Sequence, residues 1–475
     1  MSQLDLVIRN AHIATATDAF HGDIGVAEGK IAVLGKFDGS ASREIDAQGR
    51  WVTPGGVDAH CHLDQPSSDG SVGADDFVSG TISAACGGTT TVLPFACQFK
   101  GHTMHAAVED YHARARGKSV IDYAFHLIVT DPTPHVLREE LPALIRDGYT
   151  HFKLYMTYDA LKVSDRQILD LLALARAEGA LPMIHAENDD CIAWLTDVLE
   201  QAGKVEPRYH ATSRPTVIER EAAHRAISLA ELIDVPVLIV HVSSNAAMTQ
   251  IQQAQARGIS IYAETCPQYL FLTAEDLAAP GFEGAKCICS PPPRTRDDQE
   301  HIWRGIRTGV FQVFSSDHAP YRYEDPHGKR LGGPNASFRC IPNGVPGIET
   351  RMPLLMSEGV LKGRIDIHKF VSVTATGPAK LYGLYPRKGT IAPGADADLV
   401  VWDTQRKFTL TNSMLHHNVD YTPYEGMRLS SWPELVFSRG ELVVQEGKCI
   451  ASPGRGQFLR SSRPMFGALK TREFD

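Results

Sequence analysis

HFKLYMTYDALKVSDRQILDLLALARAEGALPMIH, residues 151–185, reads as a strand, a helix and a second strand. HFKLYM (151–156) and LPMIHAEN (181–188) are short, nearly continuous apolar runs. Between them, DRQILDLLALARAEG (165–179) spaces its apolar residues as a helix does and stops at Gly179, a residue suited to close a helix. Strands that are apolar on both faces and joined through a helix are parallel strands covered on both sides. The texture continues outward. VDAHCHL (57–63), TTTVLPFACQ (89–98) and DYAFHLIVT (122–130) precede this unit, and PVLIVHVSS (236–244), SIYAETCP (260–267) and VFQVFSSDHAP (310–320) follow it. VIEREAAHRAISLAELI (217–233) is a further helix, with an apolar face and Glu/Arg support four residues apart. Eight such strands favour a closed (β/α)8 barrel of the TIM type over an open doubly wound sheet.

The two ends of the chain differ from this middle. LDLVIRNAHIATA, GDIGVAEGKIAVLG and SREIDAQGRWVTP read as short strands, and the same texture returns in GTIAPGADADLVVWD, FTLTNS and PELVFSRGELVVQEGK. Neither set is long enough to stand alone, so the two are expected to pair into a small β-sandwich with the barrel inserted between them. The expected organisation is 1–54 and 386–455 for the sandwich, 55–385 for the barrel and 456–475 for a C-terminal tail. Asp396 and Asp398, in GADADLVVWD, read as turn residues of the sandwich.

The 475 residues carry 47 Lys+Arg and 56 Asp+Glu, a net charge of −9, which argues against nucleic acid or an anionic membrane as the partner. No apolar run reaches the roughly 18 residues that would span a bilayer. MSQLDLVIRNAHIATATD lacks a basic stretch followed by an apolar one, so no signal peptide is expected. The nine Cys are scattered without a CxxC pair and read as free thiols of a reducing cytoplasm. Cys287 and Cys289, a CxC, have no further ligand pattern around them and read the same way. The 20 His are the unusual figure.

In a barrel, chemistry sits at the C-terminal ends of the strands. The first strand ends in His60-Cys61-His62, and alternation turns both imidazoles to one side and Cys61 to the other. A lone HxH is as readily a pair of core residues as a metal site. The fourth strand, however, carries Lys153 between Phe152 and Leu154, where a lysine is costly unless paired or chemically altered. The fifth carries His185, the sixth His241 and the eighth Asp317. Four His, one Lys and one Asp at barrel strand ends are not explained by core packing.

These residues stand in GGVDAHCHLD, DDFVSGTISAACGGTTTV, HFKLYMTYD, PMIHAEND, LIVHVSS, YAETCPQYL, CSPPPR, SSDHAP, PNGVPGIE and VDYTPYEGMRL. Over nearly its whole length the sequence resembles the amidohydrolase superfamily, in the binuclear-metal subtype with a carboxylated lysine. Within it, the sequence resembles the dihydropyrimidinase/hydantoinase family. The resemblance implies that His60, His62 and Asp317 hold one divalent metal and that His185 and His241 hold another. It implies that Lys153, as N6-carboxylysine, bridges both. N/O ligands of this kind suit zinc, with manganese or cobalt as substitutes. Asp317 is then also the proton carrier, and the adjacent His318 a supporting residue. Tyr158, five residues after Lys153, is expected to point its hydroxyl at the developing oxyanion and to bind substrate, with Tyr155 as the second choice. Ser290 and Asn343 match positions whose main-chain groups read the cyclic amide edge.

One stretch departs from the commonest hydantoinase pattern. After HCH, Gln65, Ser67, Ser68 and Asp69 are polar where bulky apolar side chains usually cap the pocket. No Arg occurs between Cys61 and Lys100, which weakens an allantoinase or dihydroorotase reading. Phe95 and Phe99 line the pocket or pack in the core. The expectation is a cytoplasmic hydrolase of the cyclic amide C–N bond of a hydantoin or dihydropyrimidine, giving an N-carbamoyl amino acid. Its partner is a small cyclic ureide or imide, and the family implies a homotetramer, with GRGQFLRSSRP resembling a tail that crosses to a neighbouring subunit. The alternatives are an allantoinase-like or cyclic-imide hydrolase with the same metal chemistry, and a non-catalytic scaffold relative.

Overall fold

The computed structural model describes residues 4–333 and 335–466. Its centre is a barrel of parallel strands with helices outside. The eight strands stand in chain order around it: Gly56–Cys61, Thr89–Cys97, His126–Ile128, His151–Tyr155, Leu181–His185, Val237–Ile239, Ile261–Thr265 and Val313–Phe314. Each lies inside or within one residue of its expected stretch, and all are shorter. The third is broken: Asp122–Tyr123 and His126–Ile128 each pair with Thr89–Cys97. The eighth keeps only two residues of ladder. The gap between first and last strands is closed by a bridge from Cys61 to His318 and by the bond from the His62 amide to the His318 carbonyl, 2.7 Å. Side chains help: Ser316 N–H donates to Asp58 Oδ1 at 3.0 Å, and Ser316 Oγ to the His60 carbonyl at 3.1 Å.

Alternation sorts the strands into two cores. Val57, Leu93, Phe95, Tyr155, Met183, Leu238 and Val313 fill the barrel. Phe152, Leu154, Ile184 and Ile239 face outward onto Ile168, Leu171, Leu172, Ala223 and Ile227 of the surrounding helices. The helix Asp165–Glu178 begins with a capping box of Ser164 and Gln167 and ends at Gly179, whose φ of 73° is the left-handed backbone that glycine adopts freely. The helix Thr216–Ile233 buries Ala222, Ala223, Ala226, Ile227 and Ala230 on one face.

The chain ends meet as expected. Leu4–Ala14, Ala19–Ala27, Lys30–Gly35, Ala41–Asp46 and Trp51–Pro54 join Leu399–Asp403, Trp432–Ser438, Glu441–Gln445 and Lys448–Cys449 in one nine-stranded mixed sheet. The joint is the antiparallel pairing of Trp51–Pro54 with Leu399–Asp403. Its strands enclose a core of Leu6, Ile8, Ile13, Ile24, Ile31, Val52, Leu399, Val401 and Phe437. A charged cluster fastens this sheet to the barrel, and it corrects the reading of Asp396 and Asp398 as turn residues. Both are buried, and both pair with the buried ammonium of Lys388, at 3.0 and 2.8 Å. Asp122, from the barrel, completes the set at 2.7 Å.

The segment after Gly454 runs along this chain's own barrel. Phe458 packs on His112, Tyr123, Phe125 and Tyr149. The Ser461 and Ser462 amides bond to the Gly148 and Gly383 carbonyls at 3.0 and 2.9 Å. Residues 467–475 of the expected tail lie outside the described residues.

Candidate active site

The C-terminal ends of the strands open into a cavity of about 650 Å³, lined by His62, Lys153, Tyr158, His185, His241, Ser290, Asp317 and Asn343 among others. His60 lies beneath, fully buried. The first strand needs a local irregularity to deliver its histidines. Val57 and Ala59 face the barrel interior, whereas Cys61 and Leu63 belong to the outer core. The pairing register with Thr89–Cys97 shifts between Asp58 and Cys61, and beyond that shift His60 and His62 turn inward.

His60 Nε2 lies 3.2 Å, and His62 Nε2 3.4 Å, from the same Asp317 oxygen. Ligand atoms of these three residues fall within 4.8 Å of one another. The His60 ring is 5.4 Å from that of His241, which is 4.4 Å from that of His185. Lys153 Nζ sits among them, 2.7 Å from His60 Nε2, and over the rings of Phe95 and Tyr155 at 4.6 and 4.8 Å. Among the described residues no carboxylate lies within ion-pairing distance of it. Burial pushes the Lys153 amine down to about 8, against the pull of Asp317 and Glu264. Burial works the other way on Asp317, yet His60 and the hydrogen bond of His62 hold its carboxyl well below the usual range.

The donor set fits divalent metal. His60 Nδ1 is taken by Glu264 at 2.7 Å, His62 Nδ1 by Gln65 at 2.5 Å and His185 Nε2 by Glu187 at 2.8 Å. In each ring one nitrogen is thereby fixed by a partner outside the set, and the other is the candidate ligand, with His60 Nε2 and His62 Nε2 turned to Lys153 and Asp317 of the same set, the arrangement metal-binding histidines use. In a second trio of comparable spacing, Cys86, Glu349 and His416, the carboxylate is already engaged. There Glu349 accepts from Ser83 Oγ at 2.9 Å and from the His416 ring and amide at 2.9 and 2.8 Å.

Three site residues hold left-handed backbone: Tyr158 at φ 71°, His241 at 38° and Asp317 at 46°. Such backbone costs about 1–3 kcal/mol in a residue other than glycine and persists only where surroundings impose it. The restraints are visible. Asp189 accepts from the Tyr158 amide at 3.1 Å, and Glu264 from the His241 amide at 3.0 Å. Asp58 and His60 hold Ser316, next to Asp317.

Tyr158, Ser290 and Asn343 line the cavity beside His185, whose ring centre is 5.5 Å from that of Tyr158. Asn343 Nδ2 donates to the Tyr158 hydroxyl at 3.2 Å, which leaves the hydroxyl proton free for another acceptor. Asn343 Oδ1 is buried without a partner. Ser290 Oγ is used by Glu187, at 3.0 Å. Among the described residues, the main-chain N–H and C=O of Ser290 and Asn343 take part in no internal hydrogen bond. Phe99 lines the cavity. Phe95 packs under it, on the rings of His60 and His62 at 4.8 and 5.2 Å. Tyr155 stacks on His185, with its ring centre 5.3 Å away. His318 is fully paired, with Asp75 on Nε2 at 3.1 Å and the Gly347 amide on Nδ1 at 3.0 Å.

Four residues escaped the sequence reading. Glu264 carried the signal that exposed Lys153, an ionisable residue in an apolar strand. It is fully buried and pushed up to about 8 by burial. Glu187 and Arg214 gave no such signal. They lie 27 residues apart and meet at 2.9 Å, with the Arg214 guanidinium 5.6 Å from the Tyr158 ring centre. Gln65 was read only as part of a polar loop.

Comparison with known proteins agrees with this geometry. The model of the amidohydrolase family matches residues 51–443. A D-hydantoinase of Rhizobium radiobacter is 44% identical over 458 residues, 96% of this chain and 99% of that enzyme. A D-hydantoinase of Geobacillus stearothermophilus is 44% identical over 466 residues, 98% and 97% of the two. The crystal structure of dihydropyrimidinase from Brevibacillus agri NCHU1002 superposes with a TM-score of 0.94 at 40% identity, covering 97% of this chain and 99% of that one. The chain belongs to the amidohydrolase family and, within it, to the group of hydantoinases and dihydropyrimidinases.

Proposed function

We propose that this protein opens the ring of a hydantoin or dihydropyrimidine by hydrolysing the cyclic amide C–N bond, releasing an N-carbamoyl amino acid. One observation carries the reading: His60, His62, Lys153, His185, His241 and Asp317 converge on one cavity at the strand ends, in a chain 44% identical to a D-hydantoinase. His60, His62 and Asp317 would hold one divalent ion, and His185 and His241 a second. An amine held down to about 8 keeps a neutral fraction able to add to carbon dioxide and lose a proton. Lys153 in that carboxylated form would bridge both ions, and zinc suits the set, with manganese or cobalt as substitutes. When bound, such a metal pair supplies Lewis acidity, lowering the pKa of water and polarising the ring carbonyl.

The chain's own residues do the rest. Asp317 accepts the proton of the attacking water and returns it to the departing ring nitrogen as the C–N bond breaks. The Tyr158 hydroxyl, accepting from Asn343, donates its own proton toward the carbonyl oxygen as negative charge grows there. The unpaired main-chain groups of Ser290 and Asn343 hold the cyclic amide edge. A homotetramer and a cytoplasmic location belong to the same reading and rest on the family resemblance. Light scattering tests the first. No helix of the described residues is long and apolar enough to cross a membrane.

The test is a panel of hydantoins, dihydrouracil, succinimide and allantoin on metal-supplemented protein, with both enantiomers where they exist. Fastest opening of a hydantoin or of dihydrouracil is expected. Fastest opening of allantoin or of the imide would move the assignment to an allantoinase-like or cyclic-imide hydrolase. No opening of any ring would overturn the enzyme reading and favour a scaffold.

A further inference from the structure

Lys329 is fully buried and plays no part in the chemistry above. Its Nζ donates to two main-chain carbonyls, Ile288 at 2.9 Å and Pro342 at 2.7 Å. Ile288 precedes Ser290 by two residues, and Pro342 is followed directly by Asn343. The Ile288 carbonyl also accepts from the Gly344 amide at 3.0 Å. One amine thus ties together the two loops that bring Ser290 and Asn343 to the cavity.

The site is built for this contact. Gly328 brings the backbone so close to the Arg322 carbonyl that a Cβ there would stand 2.1 Å from its oxygen. The Lys329 amide then bonds that same carbonyl at 2.9 Å. Gly344 lies at φ 156°, where a Cβ would stand 2.4 Å from the Ala319 Cβ. Among the described residues Lys329 has no carboxylate within ion-pairing distance, and burial pushes it down to about 7. A buried amine without a counter-ion is costly. Charged or neutral, it still has a hydrogen for each of its two carbonyls.

We propose that Lys329 is a positioning residue for substrate, a clasp that sets the spacing between the Ser290 and Asn343 loops. It rests on the reading that those loops hold the cyclic amide edge. The clasp touches none of the six residues assigned to metal, and it meets Tyr158 only through the side chain of Asn343. Its loss is therefore felt in binding of the ring more than in the chemical step.

Lys329→Met keeps the stem and removes Nζ. With metal loaded, KM for hydantoin or dihydrouracil is expected to rise about tenfold or more, kcat to change less than about threefold, and metal content to stay at the wild-type level. Lys329→Gln, which keeps donors on a shorter arm, is expected to fall between. Hydrogen exchange gives a readout independent of turnover, since the Gly344 amide should exchange faster in Lys329→Met. An unchanged KM with unchanged exchange overturns the clasp, as does loss of metal in step with activity, or failure of both variants to fold. If wild-type protein opens no ring, the hydrolase reading fails by itself, and exchange at Gly344 still decides whether Lys329 joins the loops.

Discussion

The mouth of the barrel and the seam between barrel and terminal sheet each bury a lysine and treat it in opposite ways. At the seam, Lys388 sits among Asp122, Asp396 and Asp398, all within 3.0 Å, and these carboxylates outweigh burial and hold its ammonium well above the usual range. At the mouth, Lys153 has a histidine nitrogen and two aromatic faces, and burial prevails. The seam spends its polar groups on one another and gains a rigid joint. The mouth leaves them unspent: an amine without a counter-ion, an unpartnered His241 Nδ1, a buried unpartnered Asn343 Oδ1 and three residues in left-handed backbone. Strain and unmet polar capacity gather where the proposed function places its ligands.

Lys153→Ala breaks the comparison most sharply. Activity should fall on the order of 10³-fold or more, the scale on which one member of a catalytic set acts. Metal content should fall with it, and a short carboxylic acid should restore part of both. Full activity with full metal would remove Lys153 from the site. Because that lysine has no ion pair to lose, its removal should cost less stability than Lys388→Met, which leaves buried Asp398 without its cation and Asp122 and Asp396 with Arg439 and Arg387 alone, and should cost about 3–5 kcal/mol. Denaturant melts of the two variants check the order, and Lys388→Met should keep its activity per folded, metal-loaded chain. Tyr158→Phe should lower kcat about 10²–10³-fold with metal retained. An unchanged kcat would take the oxyanion role from the hydroxyl. Gln65→Leu should act least: without an acceptor on His62 Nδ1, metal affinity should drop about 10–100-fold, read by chelator competition.

The same two regions show what the sequence could tell. The barrel was legible because strands covered on both faces must be apolar on both, and that leaves long runs between turn residues. Its limits were less so: the third strand breaks at Ala124–Phe125, and the two-residue eighth strand leaves part of the barrel's closure to side chains such as Ser316 and Asp58. The site was legible wherever a polar residue interrupts an apolar strand, as at Lys153 or His185. Glu264 meets that criterion too, in SIYAETCP, but its role shows only in the fold, where it meets His60 Nδ1 and the His241 amide. The seam was illegible. Asp122, Lys388, Asp396 and Asp398 share no local pattern, and only the fold brings them to one point. The surplus of histidine is a poor clue by itself. Several of the 20 are structural, as in the buried His126–His151 pair, 2.7 Å apart.

The central claim is that the mouth's unspent groups hold a metal pair bridged through Lys153. The most direct measurement is the divalent-metal stoichiometry of purified wild-type protein after supplementation with zinc and bicarbonate. The account expects about two ions per chain, the number such a bridged site takes. A value below about one ion per chain would contradict it.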